Sequence, residues 1–458
     1  MEQGRSAGWA ASQEPAWFGG APAVGGVFEQ DVATHAVWWQ EGLDLLAALP
    51  AKGRRAAGEQ ALADRLLAAA RAARSGFLTR HGAELYERLT GGRSRFVRVE
   101  ELAYGAAALV PGLVPTEAQV QAEAARTQKD KEGHEFDQGL LFNQFLGEPA
   151  SGMHLCHAML RPRAESLEAL DRLRKDGRID FGTAVIERRG RASIVSMKNP
   201  RYLNAEDDST VDNVEIAVDL ALLDPDSDIC VLRGAPITGG KYDGQGVFCT
   251  GINLTQLYRG KISYLWYLVR DLGFINKIFR GVAGDGSPEE VFGNTREKAW
   301  VAAVEKFAIG GGCQYLLACD YVLAASDAYM TLPARKEGII PGVANMRLPR
   351  FVGDRTARQA VMYERRLDCD SPEGRMICDE IVAPETLDEA LANVLDRLTN
   401  SGVVSAASNR RAFRIAHEPL DHFRAYMAVY AREQAHCHFS PALISNLERF
   451  WNADKRAA

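Results

Sequence analysis

The hydrophobic period of this chain changes once, near Phe181, and that change limits the fold more than any other feature. Before it, alanine and leucine recur at three- and four-residue spacing, as in Glu59-Gln60-Ala61-Leu62-Ala63-Asp64-Arg65-Leu66-Leu67 and again over 167–173. That is the period of an amphipathic helix. After it, Ala184-Val185-Ile186-Glu187 and Ala192-Ser193-Ile194-Val195-Ser196-Met197 bracket Arg188 to Arg191 as two short strands around a turn. Further strand-like runs at 229–232 and 300–304 alternate with helical stretches at 211–223 and 312–319, the pattern of α/β construction. Helical texture returns at 387–398 and 423–432. We therefore expect a flexible arm over 1–30, an all-helical domain over 31–178, an α/β core over 179–398 and a C-terminal helical segment over 399–458.

Composition removes several classes of function. With 458 residues and a formal net charge of −6, the chain has no overall electrostatic footprint for a polyanion, so no nucleic-acid partner is expected. No apolar run approaches the roughly 20 residues that span a bilayer. The best candidate, 103–115, is broken by Pro111 and Pro115, so no membrane partner is expected either. The opening residues, MEQGRSAGWA, lack the basic start and apolar run of a signal peptide, which gives a cytoplasmic expectation. None of the eight cysteines forms a Cys-x-x-Cys pair, so they read as buried, reduced thiols.

Two glycine-containing loops carry the chemistry. Phe248-Cys249-Thr250-Gly251-Ile252-Asn253-Leu254 and Ile309-Gly310-Gly311-Gly312-Cys313-Gln314 each adjoin a strand-like segment. Glycine lets a ligand approach the main chain closely, and a helix opening at the triplet presents N–H groups to a developing negative charge. Bare amides at Gly251, Ile252 and Gly310 to Gly312 have the physics of an oxyanion hole; two tight turns would use the same residues.

Beside Asn199-Pro200-Arg201-Tyr202-Leu203-Asn204-Ala205, Ala318-Cys319-Asp320-Tyr321 and Gly338-Ile339-Ile340-Pro341-Gly342, these loops make 181–398 resemble the enoyl-CoA hydratase, or crotonase, superfamily. The resemblance implies a spiral of ββα turns, a homotrimer or homohexamer, and an acyl-CoA substrate. It also implies that the amides of Ile252 and Gly311 polarise the thioester carbonyl. Lys198 and Arg201 would lie near the phosphates of coenzyme A, or are ordinary surface charge. Glu206 falls where the family accommodates the thioester, so it either contacts substrate or begins a solvated helix beside Asp207 and Asp208.

Departures from the family pattern narrow the reaction. Hydratases of the family use two glutamates, whose positions hold Gln314 and Ala334 here. Neither an amide nor a methyl group shuttles a proton at neutral pH, so Gln314 retains the catalytic position without acid–base chemistry. A long helical domain before such a core resembles the cofactor-independent arylacetyl-CoA dioxygenase branch, known from glycopeptide-antibiotic biosynthesis. That likeness implies 3,5-dihydroxyphenylacetyl-CoA and O2 as substrates and 3,5-dihydroxyphenylglyoxylate and CoA as products. The segment 262–270 follows the first loop, where the family builds its acyl pocket. Trp266 and Arg270 share a helical face there, so an aryl ring would lie with its phenol oxygens at the guanidinium, unless Arg270 only pairs with Asp271 on the surface.

All nine histidines lie outside 158–416, which leaves no imidazole in the core for a two-histidine-one-carboxylate iron site. Only His154 with His157, or His436 with His438, brought in from the flanks, would serve. The Gly310 triplet also lacks the Gly-x-Gly-x-x-Gly fingerprint of dinucleotide folds. The expectation is therefore no metal and no cofactor, with CoA as part of the substrate and O2 as co-substrate. The competing readings are an acyl-CoA thioester hydrolase with Glu206 activating water, and a catalytically silent scaffold.

Overall fold

Among the described residues, alanine-rich helical periodicity between Phe28 and Phe181 produces seven α-helices: Phe28–Ala47, Ala57–Thr90, Val99–Leu109, Glu117–Ala124, Phe136–Gly147, Pro149–Leu160 and Ala164–Asp176. In the long helix Ala57–Thr90, Glu59 accepts the Ala56 N–H at 2.8 Å at the start, and Gly91, at φ +60°, ends it in the left-handed region. Its buried face carries Leu66, Phe77 and Leu85. The computed structural model describes residues 16–286, 290–292, 295–399 and 402–453.

The arm differs from expectation. From residue 16 it is docked: Trp17 stacks on Trp38 at 4.2 Å, and the two indoles exchange N–H bonds to each other's backbone carbonyls at 2.8 and 2.9 Å. Trp17 is buried, and the helix at Phe28 begins inside the expected arm, so the segment is tied down at both ends. Residues 1–15 of the arm lie outside the described residues.

The α/β core is built on a seven-stranded sheet. Its order is Arg178–Asp180, Ala184–Arg189, Ala192–Met197, Ile229–Gly234, Ala299–Val304, Tyr321–Ala325 and Glu380–Val382. The first three strands pair antiparallel, with Glu187 opposite Ile194, and the remaining pairs are parallel. Trp300 to Val304 are all buried, as expected of a parallel strand covered on both faces. A smaller sheet, with Phe307–Ile309 between the 247–252 loop and Tyr329–Thr331, forms a second layer. Strand, second-layer strand and short helix recur as Ala299–Val304, Phe307–Ile309, Gly311–Leu316, then Tyr321–Ala325, Tyr329–Thr331, Ala334–Glu337. This is the ββα spiral of the crotonase fold, preceded by helices and followed by helices.

The helix expected over 312–319 is shorter, Gly311–Leu316. Asp320 stops it by accepting Trp300 N–H at 2.9 Å and pairing with Arg410 at 2.8 Å, which turns the chain into the next strand. C-terminal helices Val403–His417, Leu420–His438 and Pro441–Trp451 follow the core. Leu420–His438 returns across Phe136–Gly147, where Asn143 donates to Ala428 O at 2.7 Å and a side chain on Gly139 would begin 2.6 Å from Ala435 Cβ. One apolar core therefore runs through the N-terminal helices, the sheet and the C-terminal helices. Among the described residues, no helix is long and apolar enough to cross a membrane.

Candidate active site

The two glycine loops meet. Ile309 N–H donates to Cys249 O at 2.9 Å, laying the first loop along the strand before the triplet. Gly251 has φ +73°, and a side chain there would begin 2.6 Å from Ile309 O and 2.8 Å from Gly311 N, so only glycine permits this approach. On the other edge, Glu206 N–H donates to Gly251 O at 2.8 Å and Asn253 N–H to Glu206 O at 2.7 Å. Backbone alternation then turns the Ile252 N–H away from Glu206. Gly310 gives its own N–H to Thr331 O at 2.8 Å. Among the described residues, the Ile252 and Gly311 amides have no acceptor. Both residues line a small hollow of about 30 Å³, together with Trp266, Tyr267, Gln314 and Tyr430. Gly312 serves packing: a side chain there would begin 2.5 Å from Cys249 O.

Behind this pair lies a buried polar network centred on Arg270, which is 2% exposed. Its Nε and Nη2 donate to the two oxygens of Glu206 at 2.8 and 2.9 Å, a bidentate fork. Nη1 donates to Asp271 Oδ1 at 2.9 Å and Gln314 Oε1 at 2.7 Å, and Nη2 also reaches Gly311 O at 3.1 Å. Tyr315 OH donates to Glu206 Oε1. Burial alone would pull the Arg270 pKa down, but the Glu206 charge beside it holds it well above the ordinary value. Burial lifts Tyr315 well above the usual phenol range, reinforced by Glu206. The guanidinium stays charged, the hydroxyl stays protonated, and together they fix the carbonyl side of the second loop.

This geometry corrects several expectations. Glu206 is 6% exposed and begins no solvated helix; both of its oxygens are occupied. Arg270 pairs with Asp271 in the interior, and all five of its N–H groups are engaged, so none is left for a phenol oxygen. Trp266 lines the hollow, and its indole N–H is buried without an acceptor among the described residues. Gln314 accepts from Arg270 and so acts as a spacer in the network. Lys198 bonds Asp180 at 2.8 Å and does not line the adjoining cavity.

That cavity, about 390 Å³, opens from the Ile252 amide toward the surface. Arg201 and Lys336 lie on its wall, and Leu447, Phe450 and Trp451 of the last helix cover it. The sequence reading missed Tyr315, Lys336, the covering helix and Glu337, which lines both cavity and hollow. The signal for Glu337 is its place three residues after Ala334, on the same helical face as the missing family glutamate. Among the described residues neither flanking histidine pair gathers a third ligand, although His154 and His157 both pack on Phe96. His154 bonds Tyr86 OH at 2.8 Å, His157 packs on Phe96, His436 on Phe136, and His438 meets Tyr267 OH at 3.2 Å. Among the described residues, no group of three or more His, Cys, Asp or Glu is placed to hold a metal ion.

Several known proteins are similar to this chain. A family model described as enoyl-CoA hydratase/isomerase matches residues 294–438. The (3,5-dihydroxyphenyl)acetyl-CoA 1,2-dioxygenase of Amycolatopsis orientalis is 46% identical over 393 residues, covering 86% of this chain and 89% of the relative. The short-chain-enoyl-CoA hydratase of Clostridium acetobutylicum is 24% identical over 238 residues, 51% of this chain and 82% of that one. A solved enoyl-CoA hydratase from Mycobacterium avium subsp. paratuberculosis superposes with a TM-score of 0.49 at 19% identity, over 58% of this chain and 98% of that chain. By its identity to the dioxygenase over most of both chains, and by the match to the family model, this chain belongs to the enoyl-CoA hydratase/isomerase, or crotonase, family.

Proposed function

We propose that the protein is a metal- and cofactor-independent dioxygenase that converts 3,5-dihydroxyphenylacetyl-CoA and O2 into 3,5-dihydroxyphenylglyoxylate and CoA. One observation carries the reading: two unengaged amides, Ile252 and Gly311, converge where both family glutamates are replaced, by Gln314 and Ala334. Such a site stabilises an enolate and lacks the glutamate pair with which the family adds water to a double bond. The identity to the Amycolatopsis dioxygenase over 86% of the chain supports the same substrate class. An arylglyoxylate is the keto acid from which transamination makes an arylglycine, which fits a place in antibiotic biosynthesis. Assembly as a homotrimer or homohexamer is part of the same proposal.

In this reading the thioester oxygen accepts from Ile252 and Gly311, and the pantetheine arm follows the 390 Å³ cavity past Arg201 and Lys336. The aryl ring takes the hollow, whose wall must give way because about 30 Å³ holds little more than a water. With Arg270 fully engaged, the Trp266 indole N–H is the donor left for a ring hydroxyl. The α-carbon is acidified by both ring and thioester, and the enolate transfers one electron to triplet O2. Recombination forms a peroxide at that carbon. The peroxide attacks the thioester carbonyl and expels CoA thiolate, and loss of the second α-proton breaks the O–O bond. The two α-hydrogens leave as the thiol proton and the acid proton, so atoms balance without another reductant. The placement of the core, where 158–416 contains no histidine, supports chemistry driven by the substrate's own electrons.

The hydrolase reading asks Glu206 to activate water, yet both its oxygens already accept from Arg270 and Tyr315. An oxygen-electrode assay with arylacetyl-CoA esters after exhaustive chelation tests the proposal. We expect O2 uptake to match CoA release one to one; equal CoA release under nitrogen would establish the hydrolase instead.

A further inference from the structure

An enolate route needs a group that takes the α-proton, and the two family positions for such a group hold Gln314 and Ala334. Three carboxylates lie in or beside the reaction space: Asp271 and Glu337 line the hollow, and Glu206 sits behind Gly311. Glu206 is held by Arg270 and Tyr315, and Asp271 by Arg270. The third, Glu337, ends the short helix Ala334–Glu337 and is 8% exposed. It lines both the large cavity and the hollow, at the junction where Ile252 also borders both. Its oxygens lie 3.7 and 3.9 Å from where a side chain on Gly310 would begin, one residue from the Gly311 amide. Among the described residues no side chain or amide donates to its carboxyl group. The Tyr267 and Tyr430 hydroxyls also face the hollow, but burial lifts both far above the usual phenol range, so they keep their protons.

We propose that Glu337 is the general base that removes the α-proton of the bound thioester. The assignment rests on the dioxygenase reading above and supplies the step that reading leaves without a residue. A Glu337 oxygen accepts the proton as the C–H pair becomes the enolate double bond, and the carbonyl pair moves onto the oxygen held by Ile252 and Gly311. The protonated carboxyl then returns its proton to the departing CoA thiolate, so the carboxylate is regenerated for the second α-proton. Burial without a partner suits the role: it raises the carboxyl to about 7, close to the pH at which a base is both ionised and strong enough to act. Its position one helical turn beyond Ala334 gives a carboxylate from the same face, displaced toward the triplet loop.

The test is anaerobic loss of deuterium from α-deuterated 3,5-dihydroxyphenylacetyl-CoA in ordinary water, read by mass spectrometry, with binding of the same thioester measured by calorimetry. Wild-type protein is expected to exchange the label without O2. Glu337→Gln is expected to bind the thioester normally and lose about 100-fold or more of the exchange rate, whereas Glu337→Asp retains measurable exchange. Exchange by Glu337→Gln within about threefold of wild type would overturn the assignment alone. Equal loss in the Asp and Gln variants would likewise replace the base with a packing role. Wild-type protein that neither exchanges the label nor consumes O2 would instead overturn the dioxygenase reading, and the base assignment with it.

Discussion

Gly311→Val is expected to lose roughly 100- to 1000-fold in turnover, the cost of one oxyanion donor. The loop has no room for the change. A side chain on Gly311 would begin 2.3 Å from Glu206 Oε2 and 2.8 Å from Arg270 Nη2, so the N–H can no longer hold its place beside the Ile252 amide. The substituent also pushes apart the ion pair that fixes the Gly311 carbonyl. Because the large cavity lies mainly along the first loop and the last helix, binding of CoA itself should change far less than turnover. Steady-state kinetics with a parallel CoA-binding measurement checks this. Near-normal turnover in Gly311→Val would show that this amide does not hold the enolate oxygen.

Arg270→Leu should have the largest effect on stability. Arg270 satisfies Glu206, Asp271 and Gln314 at once, and removing it leaves two buried carboxylates facing each other without a cation. Breaking a buried pair from one side costs about 3–5 kcal/mol, against a total of roughly 5–15 kcal/mol for a typical domain. Arg270→Lys keeps the charge but has no planar fork to hold both Glu206 oxygens, so it should recover part of the stability and little of the activity. Chemical unfolding of the two variants and the wild type measures the difference. A loss below about 1 kcal/mol in Arg270→Leu would mean that the network does not hold the site together.

What could be read from the chain was local. The helix Val211–Leu223 and the hairpin of Ala184–Arg189 with Ala192–Met197 follow from periodicity, because each is defined by neighbours in sequence. Gly251 and Gly310 pointed to the amides because a positive φ at a loop that approaches another backbone leaves a trace in residue type. The role of Arg270 left none. Its partners Glu206 and Gln314 are 64 and 44 residues away, and only the meeting of three turns of the spiral shows that the guanidinium is already full. Glu337 was hidden for the opposite reason. In the run Ala334-Arg335-Lys336-Glu337 it reads as a solvated helix face, and its burial comes from tertiary packing that periodicity over four residues does not report. The docked part of the arm was missed because Trp17, in a Gly/Ala/Pro-rich segment, belongs to no period, although its indole stacks on Trp38.

The central claim, that an electron-rich thioester held by two amides reacts with dioxygen without a metal or cofactor, is tested most directly by turnover of 3,5-dihydroxyphenylacetyl-CoA under isotope-labelled O2 after chelation. The account predicts an arylglyoxylate carrying two heavy oxygen atoms, one in the new keto group and one in the carboxylate, at an undiminished rate. A product with a single heavy atom and the other drawn from water, or activity abolished by chelation and restored by iron, would contradict it.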